Sequence, residues 1–183
     1  MRCNQAAALM FAAITASAQA QPHAGHQHGN LDHPVGPYSG FEQRQIKALP
    51  DQQIADLREG RGLGLALPAE LNSYPGPLHV LELADSLTLN DEQRTRTNTL
   101  FEAMKAETIV LGEQIITEEA SLDRHFAERS INPDVLIAAT SRIGALQGQL
   151  RAAHLRYHLL MRGLLSGEQV AEYDERRGYN QTR

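Results

Sequence analysis

Histidine is the residue that gives this 183-residue chain most of its potential chemistry, and its eight copies are unevenly placed. His154 and His158 form an H-x3-H pair in AAHLRYHLLM. At i and i+4 both rings leave a helix on one side, within reach of a single metal ion. At about 100° per residue, His154 lies about 40° and His158 about 80° from Leu150, on the rim of that helix's apolar stripe. Arg151 and Arg162 lie further round the same side and oppose a cation. On the preceding long segment, Glu107 and Glu118 fall about 20° and 0° from Leu100, inside an apolar stripe. A carboxylate is costly there unless it is paired or metal-bound. If the chain reverses near Ile131, Glu107 comes opposite Leu155, about one turn from His154 and His158. Glu107, His154 and His158 then make an O/N/N ligand set, and His79, just ahead of these segments with Glu82 at i+3, is the natural fourth ligand. Such donors suit Zn(II), Ni(II) or Cu(II). The competing reading is a polar rim without metal. Glu118 would lie opposite Gly144 and pair with Arg142, and His125 reads as structural.

A second cluster, His23, His26, His28 and His33, sits in residues 21–40, a Gly- and Pro-rich stretch read as a disordered arm. The arm can bind the same ions at the cost of being ordered, or it is a solvated linker. An amino-terminal Cu/Ni site is blocked, because Pro22 has no N–H to give up.

The elements that must position these groups are helical. Residues 1–20 read as a cleaved signal peptide: Arg2, then the apolar run Ala6 to Ile14, then Ala18-Gln19-Ala20 with cleavage after Ala20. The apolar run is far shorter than the ~20 residues of a membrane span. The expected compartment is the periplasm, without membrane insertion. Cys3 is the sole cysteine and lies in the leader, so the mature chain has neither disulfides nor thiolate ligands. Residues 41–183 read as one domain. Helices are expected over Glu42 to Leu49, Pro50 to Glu59 and Leu63 to Asn72, with a turn at Ser73 to Gly76 and a short helix from Pro77. Two long helices, Asp91 to about Glu128 and Asp134 to Gly163, carry apolar residues at helical spacing. The first stripe is Leu100, Met104, Leu111, Ile115, Leu122 and Phe126. The second is Ala139, Ile143, Leu146, Leu150, Tyr157, Met161 and Leu164. Joined at Ile131 to Asp134, they must fold back as an antiparallel hairpin spanning 90–164, followed by a final helix within 166–177. No strand pattern survives, and the fold class is all-α. A second apolar line, Ile109, Ile116, Leu155 and Leu159, needs cover from residues 41–86 or from a second copy, hence an expected homodimer.

Both ends of the hairpin carry one motif: Leu89-Asn90-Asp91-Glu92-Gln93 and Leu165-Ser166-Gly167-Glu168-Gln169. Each is a capping box, in which Asn or Ser accepts from the N3 amide and Gln reaches back to the cap's N–H. Repeated around a helical hairpin in an exported chain, these boxes resemble the L-T-x-x-Q motifs of the Spy/CpxP family of periplasmic stress proteins, which includes ZraP- and CnrX-like metal-responsive members. Asn90 and Ser166 stand where the family has threonine. The resemblance covers about residues 77–179, including the GEQVAEYDERRGY tail. It implies a hooked, cradle-like helical dimer acting as an ATP-independent chaperone or as a metal-responsive partner of envelope signalling proteins. In the CnrX-like pattern, His154 matches the late histidine, His158 stands at the methionine position, and Glu107 is the helical glutamate.

Charge and motif content narrow the classes. Loss of Arg2 with the leader takes the formal charge from −5 to −6, and an acidic chain with few aromatics excludes nucleic acid as a partner. There is no nucleophile–base pair and no phosphate loop, so no enzyme and no organic cofactor is expected. The expected function is a metal-binding protein of the heavy-metal or envelope-stress response, with a holding chaperone for unfolded clients as the alternative.

Overall fold

The structure, a computed structural model, describes residues 36–179. The expected signal peptide and its cleavage point, and the arm histidines His23, His26, His28 and His33, lie outside the described residues. Those residues form six α-helices and no strand: α1 (Asp51–Arg58), α2 (Leu67–Glu70), α3 (Pro77–Glu82), α4 (Asp91–Ala127), α5 (Pro133–Leu164) and α6 (Gly167–Arg177). None of them is long and apolar enough to cross a membrane.

Local chemistry sets the ends of the long helices. Asn90 Oδ1 accepts from Gln93 N at 2.8 Å, and Asn90 N donates to Gln93 Oε1 at 3.2 Å, closing the first capping box. Ser166 and Gln169 do the same for α6. Asn132 accepts from Val135 N ahead of Pro133, whose missing N–H costs nothing in a first turn. Between α4 and α5 the chain reverses through Arg129, a non-glycine residue at φ 55°, while Ser130 N returns to His125 O.

Side-chain bonds set α4 and α5 side by side in antiparallel register. Gln93 reaches Leu164 O, Arg156 reaches Glu107, and Arg142 reaches Glu118 at 3.1 Å. The two capping boxes are also joined to each other. Gln93 Nε2 donates to Gln169 Oε1 at 2.8 Å, Gln169 Nε2 donates to Gln93 Oε1 at 3.0 Å, and each amide also donates to a backbone carbonyl, Leu164 or Leu87.

Two apolar clusters flank the middle of this pair. One gathers Val80, Leu87, Leu89, Met161, Leu165, Val170 and Tyr173. The other gathers Ile46, Leu49, Ile54 and Leu57 over Ile115, Ile116 and Leu150. Residues ahead of the long helices therefore supply part of the cover that the second apolar line needs, at Ile116. Leu159 stays 60 % exposed. The close approach of α1 depends on Gly112, because a Cβ there would stand 2.4 Å from Leu57 O.

Two expected helices differ. Residues 42–49 form only a 3-10 turn at Phe41–Gln43, because Ile46 and Leu49 turn inward as anchors joined by a local bridge. The expected helix over 63–72 shrinks to Leu67–Glu70. Leu63 (φ 48°) and Gly64 (φ 72°) are left-handed, which turns the chain before the helix starts at Leu67, with Pro68 in its first turn.

Candidate functional site

Along α5, Leu150 belongs to one apolar cluster and Met161 to the other, and His154 and His158 fall between them. The rim position expected for these histidines is corrected: His154 is 2 % exposed and His158 7 %. The cover comes from residues 66–79. His158 Nδ1 donates to Tyr74 O at 2.7 Å, so Nε2 is the ring nitrogen that this bond leaves over. Gly76 permits this approach, because a Cβ on it would stand 3.0 Å from His158 Nε2. Burial, with a smaller contribution from His158, lowers the pKa of His154 below the ordinary histidine value, so the ring is neutral near pH 7. Its Nε2 is buried without a hydrogen-bond partner.

The carboxylate beside this pair is Glu70, at the end of α2 and 6 % exposed. Its Oε1 is a hub. It accepts from Tyr173, from Tyr179 at 3.2 Å and from His79 Nδ1 at 3.1 Å, with Arg177 Nε at 4.0 Å. Its Oε2 has no hydrogen-bond partner and stands 3.6 Å from His158 Nδ1. Burial opposes ionisation most strongly. The bonds from His79 and Tyr173 and the positive character of His79 and His158 together outweigh it, and the pKa of Glu70 lies below the usual carboxylate value. Tyr173, with no exposed surface, has its pKa raised by burial and by Glu70.

Glu107 is not in this cluster. It accepts from Arg156 and, at 3.2 Å, from Tyr157 OH, and the Arg156 bond holds its pKa low. The O/N/N set of Glu107, His154 and His158 is therefore not assembled. The register places Glu107 level with Arg156 and Tyr157, which leave α5 on another side from the two histidines. His79 does join, through Glu70, while Glu82 turns toward Arg177 at 3.7 Å. His125 bonds Ser130 Oγ at 2.9 Å near the α4–α5 reversal. Leu89, Asn90, Gln93, Leu165, Ser166 and Gln169 cap helices and hold them together, away from the histidines.

Glu70 had no sequence signal as a site residue, because its helix is four residues long and no periodicity points at its partners. The GEQVAEYDERRGY tail did contain Tyr173, Arg177 and Tyr179, which converge on it. Glu70, His79, His154 and His158 line one cavity of about 610 Å³, floored by Met104 and Phe101 of α4. Among the described residues, no three His, Cys, Asp or Glu side chains are already gathered around one metal position. No family model, curated protein or solved structure matches the chain.

Proposed function

We propose that this is a non-enzymatic, exported metal-binding protein of the heavy-metal or envelope-stress response, taking Zn(II), Ni(II) or Cu(II) at His154 and His158. Glu70 replaces Glu107 as the carboxylate. One observation carries this reading: Glu70 Oε2 and His154 Nε2 are both buried without a partner in the wall of one cavity. Orphaned buried acceptors cost on the order of 1–3 kcal/mol each, and a cation would satisfy both. A neutral His154 supports it too, since only the unprotonated ring ligates. The signal-like leader supports a periplasmic location. The paired boxes on antiparallel long helices support kinship with the Spy/CpxP family and a hooked, dimeric hairpin.

The test is isothermal titration of the full chain with each metal, in a variant whose four arm histidines are alanine. Adding His154→Ala and His158→Ala should abolish the remaining binding. Glu70→Gln should weaken it, and Glu107→Gln should not. Unchanged binding in the His154→Ala, His158→Ala chain refutes the site. A holding chaperone is the second reading, favoured by the exposure of Val110, Phe126, Ile137 and Leu159. It requires suppression of client aggregation at equimolar ratio.

A further inference from the structure

A metal at the histidine end accounts for only part of the cavity. At about 610 Å³ the space is in the range of pockets for drug-sized organic molecules. Away from Glu70 and the histidines its walls are largely apolar, with Leu63, Ala66, Leu67, Leu78, Phe101 and Met104 beside the charged Glu59, Arg61 and Lys105. Three of these, Leu63, Leu67 and Leu78, are 39 %, 53 % and 43 % exposed. Such a concentration of exposed leucines around one opening is uncommon on a surface unless something covers it.

Among the charged side chains that line this cavity, one cation is uncommitted. Arg61 lines it but is held by Glu59 at 2.6 Å and Asp56 at 3.6 Å. Glu70 is enclosed by its two tyrosines, His79 and Arg177. Lys105 lines the cavity one turn of α4 from Phe101, and among the described residues its ammonium makes no hydrogen bond or ion pair. An apolar chamber with one uncommitted ammonium at its wall matches a molecule with a hydrophobic body and an anionic head.

We propose that this cavity binds a small amphiphilic organic anion, its apolar body against Leu67, Leu78, Phe101 and Met104 and its carboxylate or sulfonate at Lys105. The site shares walls with the metal site but needs no metal, so the two readings stand or fall separately.

The probes are 1-anilinonaphthalene-8-sulfonate and N-phenyl-1-naphthylamine, which share an aromatic body and differ by the sulfonate. The full chain is titrated with each in EDTA, following fluorescence. The sulfonate probe should bind at one per chain and about tenfold tighter than the neutral one, equivalent to about 1.4 kcal/mol. Lys105→Met should erase that difference while keeping neutral-probe binding. Leu67→Asp, at an exposed wall position, should weaken both probes. Cooperative melting of each variant separates site binding from dye uptake by a loosened fold. Equal affinity for the two probes, an unchanged preference in Lys105→Met, or unchanged binding in Leu67→Asp would each overturn the proposal. Lys105→Met should leave the metal titration unaltered, so loss of one binding activity is read independently of the other.

Discussion

Glu70 and Tyr173 are the pair on which the stability of the site should turn. Tyr173 has no exposed surface and donates to Glu70 Oε1, itself in a carboxylate only 6 % exposed. A hydrogen bond to a charged acceptor contributes about 1.5–3 kcal/mol net, so Tyr173→Phe should cost about that much. Glu70→Leu should cost about 1–3 kcal/mol, because it strands the buried Tyr173 hydroxyl. In the Glu70→Leu background, Tyr173→Phe removes an orphaned hydroxyl, and its cost should fall to about zero or reverse sign. The double-mutant cycle therefore predicts a coupling of about 1.5–3 kcal/mol. Urea unfolding followed by far-ultraviolet circular dichroism measures all four proteins. A coupling below ~0.5 kcal/mol would mean that the hub does not hold α2 to α6, and the reasoning from burial would fail.

Three further outcomes are expected. In a second cycle, Gln93→Ala and Gln169→Ala should each cost about 1–3 kcal/mol, and the double variant should cost less than their sum by about 1 kcal/mol; strict additivity in urea unfolding would show the boxes to be independent caps. Gly112→Ala improves helix propensity by about 1 kcal/mol but sets a Cβ against the Leu57 carbonyl, so a net loss of about 1–3 kcal/mol is expected; an unchanged or raised melting temperature would contradict the close approach of α1. Because the folded chain holds the His154 pKa down, the unfolded chain takes up that proton first, and stability should fall as pH drops through about 6.5. Glu70, also lowered, adds a further loss at more acid pH. Melting temperatures at pH 7.5 and 5.5 check this, and His154→Gln should flatten the upper part of the slope.

The long helices were legible because their signals are local and repeated. Boxes at Asn90 and Ser166, Pro133 in a first turn, and apolar spacing over more than thirty residues leave few alternatives. The antiparallel register followed closely enough to pair Glu118 with Arg142, as their helical positions suggested. The site was half legible. His154, His158 and His79 could be named from spacing, but their carboxylate could not. Glu107 looked buried and unpaired on a helical wheel, which does not show that Arg156 on the facing helix can reach round to it. Glu70 was invisible because it lies in a segment whose conformation is set by left-handed Leu63, Gly64 and Ser73 and by tertiary anchoring. The same segment turned the histidines from a sheltered rim into a buried pair. Sequence periodicity reports which face of a helix is apolar; it does not report what a non-periodic stretch will lay across the other faces.

The reciprocal amide bonds between Gln93 and Gln169 join points 76 positions apart in the chain. In a protein whose sole cysteine is Cys3, they occupy the structural role of a cross-link without sulfur chemistry. A terminal helix ordinarily frays by itself. Here α6 cannot leave without exposing the amide of Gln93 and the first turn of α4, so the last helix and the start of the longest one should open as one event. The clasp is indifferent to oxidants and reductants, and it re-forms without a catalyst whenever the two ends meet.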